Sequence, residues 1–362
     1  MKVGILTCHA AYNYGSVLQA FALQELIRGL GHEVEIVDCR PSWFDPYRVL
    51  YFENPFRGSV YGFCRTICMN VNRLLCFPLR IVRRRVFESF MRDFYRVSQW
   101  RGCDMPSAPL NYDAYVIGSD QVWNPLIFGE SFPIYMGRFA TSKGTLKIGY
   151  ALSAGGREDL LTDAYSEEVD GFSALSVREQ ALGDRLNDVF GRDAPLVLDP
   201  TMSLERERWL ELSQSESSGD YIVVYLVYHV PAAIQYAKRL AREMACRVRV
   251  ISSGAGFFRC RRLHQDSPIE FLNLIRHAKA VVTTSFHGTA FSIIFGRPFY
   301  FVSSSQKGEN RQRDLLEQLG LVDRIICAGE EPWIRGIDYE HVWEKLRKRR
   351  EESVSFLRKA LS

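Results

Sequence analysis

Three polar corners in the sequence carry side chains able to move protons or hold anions. The first is Ser285-Phe286-His287-Gly288-Thr289, between the apolar run Val281–Thr284 and a short apolar helix that stops at Gly296 and Pro298. A helix start exposes N–H groups and a partial positive charge, so it favours an anion. Imidazole changes charge near neutral pH, so a histidine at such a corner can hold a phosphate or carboxylate and exchange a proton with it. The same residues also fit a core histidine that bonds a neighbouring loop.

The second corner, Asn13-Tyr14-Gly15-Ser16, is a polar turn into a helix N-terminus, suited to a sugar or an anion. It lacks the G-x-G-x-x-G spacing of a dinucleotide site. An ordinary strand-to-helix turn would look the same. The third places Asp120, Gln121, Trp123 and Asn124 after the strand Ala114–Ile117. A carboxylate, two amides and an indole suit a carbohydrate, whose C–H faces pack on aromatics. The alternative is a loop capped by Asp120 over a buried Trp123. Arg178 and Lys307 are single cations on candidate cleft loops, and such residues are often plain surface charges.

These corners need elements to position them, and the sequence supplies a βαβ rhythm. Lys2–Thr7 reads as a strand, with Ser16 as the cap of a helix to about Leu30 and Glu33–Val37 as the next strand. Strands are also expected before Asp120, in KIGYAL, before Arg178 and in PLVLD. The segment ELSQSESSGD reads as a linker. A second series follows: Tyr221–Val227, the helix Pro231–Met244, the strand Arg247–Ser252, and a helix opened by Ser267-Pro268-Ile269-Glu270 with a complete capping box. Tyr339–Leu361 reads as a long charged helix. Alternating strands and helices imply parallel sheets. With 362 residues, two domains are expected: 1–212 and 213–335, with 336–362 as a helix packing back on the body. The fold class is α/β, two Rossmann-like domains facing a cleft, with ligands at the carboxyl ends of the strands.

Composition narrows the partners. A net charge of +4 does not by itself argue for nucleic acid. The positive charge is concentrated: residues 43–96 hold ten arginines, no lysine, four carboxylates and 13 aromatics, so the rest is slightly acidic. Around FPLRIVRRRVFESFMRDFYR the apolar residues recur at helical spacing, which fits either a basic face against anionic lipid or a helix that buries its aromatics. No apolar run approaches a membrane span, and the N-terminus does not read as a signal peptide. Nine scattered cysteines fit reduced thiols in a cytosol. Cys64, Cys68 and Cys76 lack further ligands, so no metal is expected.

Taken in order, GILTCHAAYNYGSVLQAFALQ, YDAYVIGSDQVWNP, ALSVRE, LDPT and SPIEFLNLIRHAKAVVTTSFHGTAFSIIFGRPF resemble the polysaccharide pyruvyl transferase family. The resemblance implies a GT-B-like pair of domains and transfer of a pyruvyl group from phosphoenolpyruvate to two hydroxyls of one sugar, forming a cyclic ketal and releasing phosphate. It implies no cofactor. The family histidine falls on His287, which is then the general acid, and Asp120 is the candidate base. Arg178 and Lys307 become donor clamps, with Ser285 and Thr289 as supports. Many members carry an arginine where this chain has Ser285; Arg178, Lys307 or Arg311 compensates, or the donor lies differently. Asn13, Tyr14, Gly15, Ser16, Gln121, Trp123 and Asn124 are the acceptor-side candidates. A lipid-linked acceptor would place the protein in the cytoplasm, peripheral at the inner membrane face. Two rivals remain: a nucleotide-sugar glycosyltransferase of the same shape, and a non-catalytic carbohydrate-binding or assembly protein.

Overall fold

The computed structural model describes residues 1–42, 44, 60–214, 219–228, 230–252, 266–303, 309–327, 330, 333 and 335–362. Two all-parallel sheets organise the chain. The first contains β1 (Lys2–Leu6), β2 (Glu33–Cys39), β3 (Val97–Gly102), β4 (Ala114–Asp120), β5 (Leu146–Leu152) and β6 (Ala174–Val177), in the order β3-β2-β1-β4-β5-β6. The second contains β7 (Tyr221–Leu226), β8 (Arg247–Ser252), β9 (Ala280–Thr283), β10 (Phe299–Val302) and β11 (Ile325–Ile326), in the order β11-β10-β9-β7-β8. This is the expected α/β pair of Rossmann-like sheets facing a cleft.

Each sheet has one switch point, where the chain reverses its direction of winding and leaves a crevice at the strand ends. In the first it lies between β1 and β4, which pair from Val3 with Ala114 to Leu6 with Ile117. In the second it lies between β7 and β9, which pair from Ile222 with Ala280 to Tyr225 with Thr283. The three polar corners follow β1, β4 and β9, so the topology alone brings them towards one cleft.

Strands buried on both faces need helices on both sides. One apolar cluster covers the outer face of the first sheet, including Leu6, Tyr115, Ile117 and Leu175. Another covers one face of the second, including Ile222, Val224 and Val282. The third and largest joins the remaining faces of both sheets, from Val3 and Ile148 through Trp209 to Tyr225 and Phe291. Trp209 is fully buried, edge-on to Phe21 at 5.7 Å and to Phe291 at 5.0 Å, and its Nε1 donates to Thr201 O. The tail helix Tyr339–Ala360 spans both halves: Trp343 Nε1 donates to Ile293 O, while Ser353 Oγ accepts from Leu198 N.

Several local expectations hold. The box at Ser267 is complete, its side chain accepting from Glu270 N while the Glu270 side chain accepts from Ser267 N. The helix Phe286–Phe295 ends at Gly296 in the left-handed conformation. Others are corrected. The first helix runs Tyr14–Gly29 and is capped by Asn13, not Ser16, because Asn13 Oδ1 reaches Gly15 N. The PLVLD segment contributes one bridge, Leu196 to Val177, rather than a strand. Asp199 stops it there by capping the helix Pro200–Ser203. Among the described cysteines, Cys76 is disulfide-bonded and Cys8, Cys39, Cys64, Cys68, Cys103, Cys246 and Cys327 are free. Part of the arginine-rich insert and all of Lys307 lie outside the described residues.

Candidate active site

A cavity of about 200 Å³ opens in the cleft where the two switch points meet. Asn13, Asp120, Gln121 and Gly155 line it from the first half, and Tyr228, Thr284, Ser285, His287, Glu309 and Arg311 from the second. The histidine corner is built by strand-end chemistry. Thr283 Oγ1 donates to Tyr225 O and accepts from Ser285 N, fixing the end of β9 against β7. Ser285 then caps the helix Phe286–Phe295, its side chain accepting from Gly288 N. His287 is the second residue of that helix and is 6% exposed, its ring on the cavity wall.

Two glycines make room for it. A Cβ on Gly288 would lie 2.3 Å from Thr283 Oγ1, so only glycine lets the helix start lie on β9. A Cβ on Gly15 would lie 2.1 Å from His287 Nδ1. The first helix therefore packs its bare backbone on the imidazole of the other half.

Behind the ring is a buried charge cluster. His287 Nε2 lies 3.7 Å from Asp199 Oδ2. Arg178 Nη1 donates to the same oxygen, and Arg178 Nη2 donates to Asp120 Oδ1 at 3.2 Å. Ser119 and Thr201 hydroxyls donate to Asp199, and Ser16 Oγ donates to Asp120 Oδ2 at 3.3 Å. Arg311 Nη1 approaches Asp120 at 3.9 Å. The guanidinium of Arg178 also lies 4.7 Å from the centre of the Phe286 ring.

The electrostatics follow from this packing. Burial alone would push the Asp199 carboxyl up, but His287, Arg178 and the Thr201 hydrogen bond outweigh it and hold it far below the usual range. Asp120 behaves alike: burial raises it, while Arg178, His287 and Arg311 pull it below its ordinary value. Both carboxylates are therefore ionised at neutral pH. Glu179 differs, its carboxyl raised by burial while it accepts from Ser153 Oγ and Ala154 N. A close pair at an effective dielectric near 20 gains about 4 kcal/mol, comparable to the desolvation of each ion. The cluster thus fixes geometry and protonation more than it stabilises the fold.

The structure sorts the candidates. His287, Asp120, Gln121, Asn13, Ser285 and Arg311 meet at the cavity, and Gly15 and Ser16 touch its histidine and its aspartate. Arg178 is displaced from the expected clamp position: its side chain is 2% exposed and spans two carboxylates, so it lies behind the wall. Ser285 Oγ is engaged in its helix cap. Thr289 is fully buried, and its hydroxyl donates back to Ser285 O one turn earlier, which satisfies it within the helix. Tyr14 is a core residue, stacked on Phe271 at 4.4 Å, with its hydroxyl on Asp266 O. Trp123 is buried, its Nε1 on Tyr135 O, and Asn124 caps the helix Pro125–Phe128. In these three, packing and capping account for the residue type. Asp199 and Glu179 were not singled out from the sequence. The Asp-Pro pair is a helix-start signal, but its pairing with Arg178 is made only by the fold.

In this two-sheet α/β architecture His287, Asp120 and Arg311 line the cleft, with Arg178 and Asp199 buried behind them. The chain belongs to the polysaccharide pyruvyl transferase family, whose model matches residues 13–306. It is accordingly a transferase acting on polysaccharide. No curated protein sequence matches the chain. Among solved structures it is similar to the UDP-GlcNAc 2-epimerase from Neisseria meningitidis bound to UDP-GlcNAc, at 9% identity over 98% of this chain and 94% of that one, TM-score 0.45. It is similar to the UDP-GlcNAc 2-epimerase from Methanocaldococcus jannaschii at 11% identity, over 96% and 92%, TM-score 0.41. It is also similar to the spinosyn rhamnosyltransferase SpnG at 11% identity, over 99% and 93%, TM-score 0.35. Likeness at this level says nothing about substrate.

Proposed function

We propose that the protein transfers the pyruvyl group of phosphoenolpyruvate to two hydroxyls of one sugar in a lipid-linked oligosaccharide, giving a cyclic ketal and inorganic phosphate, with no cofactor. The observation that carries this reading is His287 on the cavity wall, backed by ionised Asp199 and faced by Arg311.

In the proposed sequence, His287 protonates the methylene carbon of the enol, which becomes the methyl group. Positive charge develops at C2. One sugar hydroxyl adds to C2, the C2–O bond to phosphate breaks, and the second hydroxyl closes the ring. The two hydroxyl protons restore the acid and leave with phosphate. Arg311 and the first turn of the helix Phe286–Phe295 hold the donor anions. Arg178 acts at one remove, as a positioning residue for Asp120 and Asp199. An aspartate held below its ordinary pKa is a weak base, so Asp120 orients the attacking hydroxyl through a hydrogen bond rather than stripping its proton. Asn13 and Gln121 face the acceptor.

The test is phosphate release from phosphoenolpyruvate that depends on an acceptor glycan, with mass spectrometry of the glycan. Stabilisation by nucleotide sugars instead of phosphoenolpyruvate would favour the glycosyltransferase rival. Absence of any acceptor-dependent phosphate with all tested glycans would favour the binding-protein rival.

A further inference from the structure

Helices of globular proteins turn their apolar side inward, and the helix Val60–Leu75 does the reverse. Ile67, Val71, Leu74 and Leu75 are 40%, 52%, 59% and 71% exposed. Cys64 and Cys68 are exposed as well. At 3.6 residues per turn these six positions fall within an arc of about 120°, so they form one stripe along the helix. Single exposed apolar residues need no explanation, but a contiguous stripe does. The adjoining helix, Phe77–Phe94, follows the second reading of its sequence, burying its aromatics while it keeps arginines at the surface. It buries Arg83, Phe87, Phe90 and Met91 and turns Arg84, Arg85 and Arg92 outward.

Charge identifies what covers the stripe. The two helices, residues 60–94, hold seven arginines, no lysine and two carboxylates, a balance of +5, while the whole chain carries +4. A second copy docked stripe to stripe would bring two strongly positive surfaces together. An anionic bilayer satisfies both features at once. Apolar side chains enter the boundary between headgroups and acyl chains, and guanidinium groups meet lipid phosphates. Among the described residues no helix is long and apolar enough to cross a membrane, so the helix lies in the interface plane.

We infer that the helix pair Val60–Leu75 and Phe77–Phe94 is a docking surface for an anionic lipid bilayer, with Ile67, Val71, Leu74 and Leu75 inserted and the exposed Arg65, Arg84, Arg85 and Arg92 on the headgroups. The pair is tied to the cleft. Arg83 Nη2 donates to Tyr12 O at 2.7 Å, and Phe87 packs on Tyr12 and Tyr14 with ring centres 5.8 and 5.1 Å apart. Asn13, between those tyrosines, lines the cavity. If the proposed function holds, the docked protein therefore presents its acceptor side close to the lipid headgroups; the docking itself does not rest on that reading.

The experiment is flotation of the full-length protein with phosphatidylcholine vesicles, with and without phosphatidylglycerol, at low and high salt. The variants are V71Q/L74Q/L75Q and R65Q/R85Q, all at exposed positions. The wild type is expected to float with the anionic vesicles only and to be released by salt. Each variant should lower the bound fraction about ten-fold or more, with an unchanged melting temperature. Three results would overturn the inference: no flotation of the wild type at low salt, undiminished flotation of V71Q/L74Q/L75Q, or a wild-type dimer that this variant disperses and that binds no vesicles. The readout needs no turnover, so it stands or falls apart from the identity of the donor.

Discussion

At the residue scale, His287 is defined by its neighbours. Removing its imidazole should cost about 10²–10⁴-fold in kcat with little change in stability, since general acid catalysis supplies that range. Steady-state kinetics with the melting temperature as control checks this, and near-normal turnover by His287→Ala would discard the acid assignment. Gly15→Ala tests the same contact from the other half. Its methyl would lie 2.1 Å from His287 Nδ1, so the ring must move. The expected result is a kcat loss with a nearly unchanged donor KM. Arg178→Met separates two roles. As a clamp it would raise donor KM and spare stability. Because Arg178 is buried between Asp120 and Asp199, its loss strands two carboxylates and should destabilise by about 3–5 kcal/mol, measured by denaturant unfolding. The acid limb of stability follows from Asp199. Its folded pKa lies below the unfolded one, so its contribution is complete above the unfolded carboxyl value and is lost as pH falls towards the folded one. Asp199→Asn should therefore be less stable at neutral pH and lose less stability on acidification, as pH-dependent unfolding will show.

At the element scale, the site depends on how strands end and helices begin. Ser285→Ala removes the cap that starts the histidine helix and should cost about 1 kcal/mol, measurable as a shift in denaturant midpoint. This is also the scale at which the sequence was most legible. The strand-corner-helix at Val281–Phe295, the capping box at Ser267 and the tail helix all announce themselves through local pattern. Legibility failed where local chemistry was ambiguous. Trp123 and Asn124 look like sugar-binding groups, and Tyr135 O and the helix Pro125–Phe128 claim them instead. Tyr14 looks like a loop residue and is an aromatic plug between the halves, against Phe271. Asp199 went unnoticed because its meaning is a contact with Arg178, 21 residues away in sequence, that no periodicity encodes.

At the scale of the whole molecule, the two sheets share one apolar cluster through Trp209 and the tail helix, so they should not unfold independently. Calorimetry should give a single transition, with Trp209→Ala lowering stability by about 3–5 kcal/mol; two separated peaks in the wild type would contradict the shared core. The same closeness sets the chemistry, because the histidine comes from one half and its neighbours Gly15, Asp120 and Asp199 from the segments of the other. The account's central claim is that this junction moves a pyruvyl group from phosphoenolpyruvate to a sugar. The most direct measurement is mass spectrometry of lipid-linked glycans incubated with phosphoenolpyruvate and either wild type or His287→Ala. The account predicts a glycan heavier by one pyruvic acid less one water, formed together with one phosphate, by the wild type alone. Equal product from His287→Ala, or no such product from the wild type while phosphate is released, would contradict it.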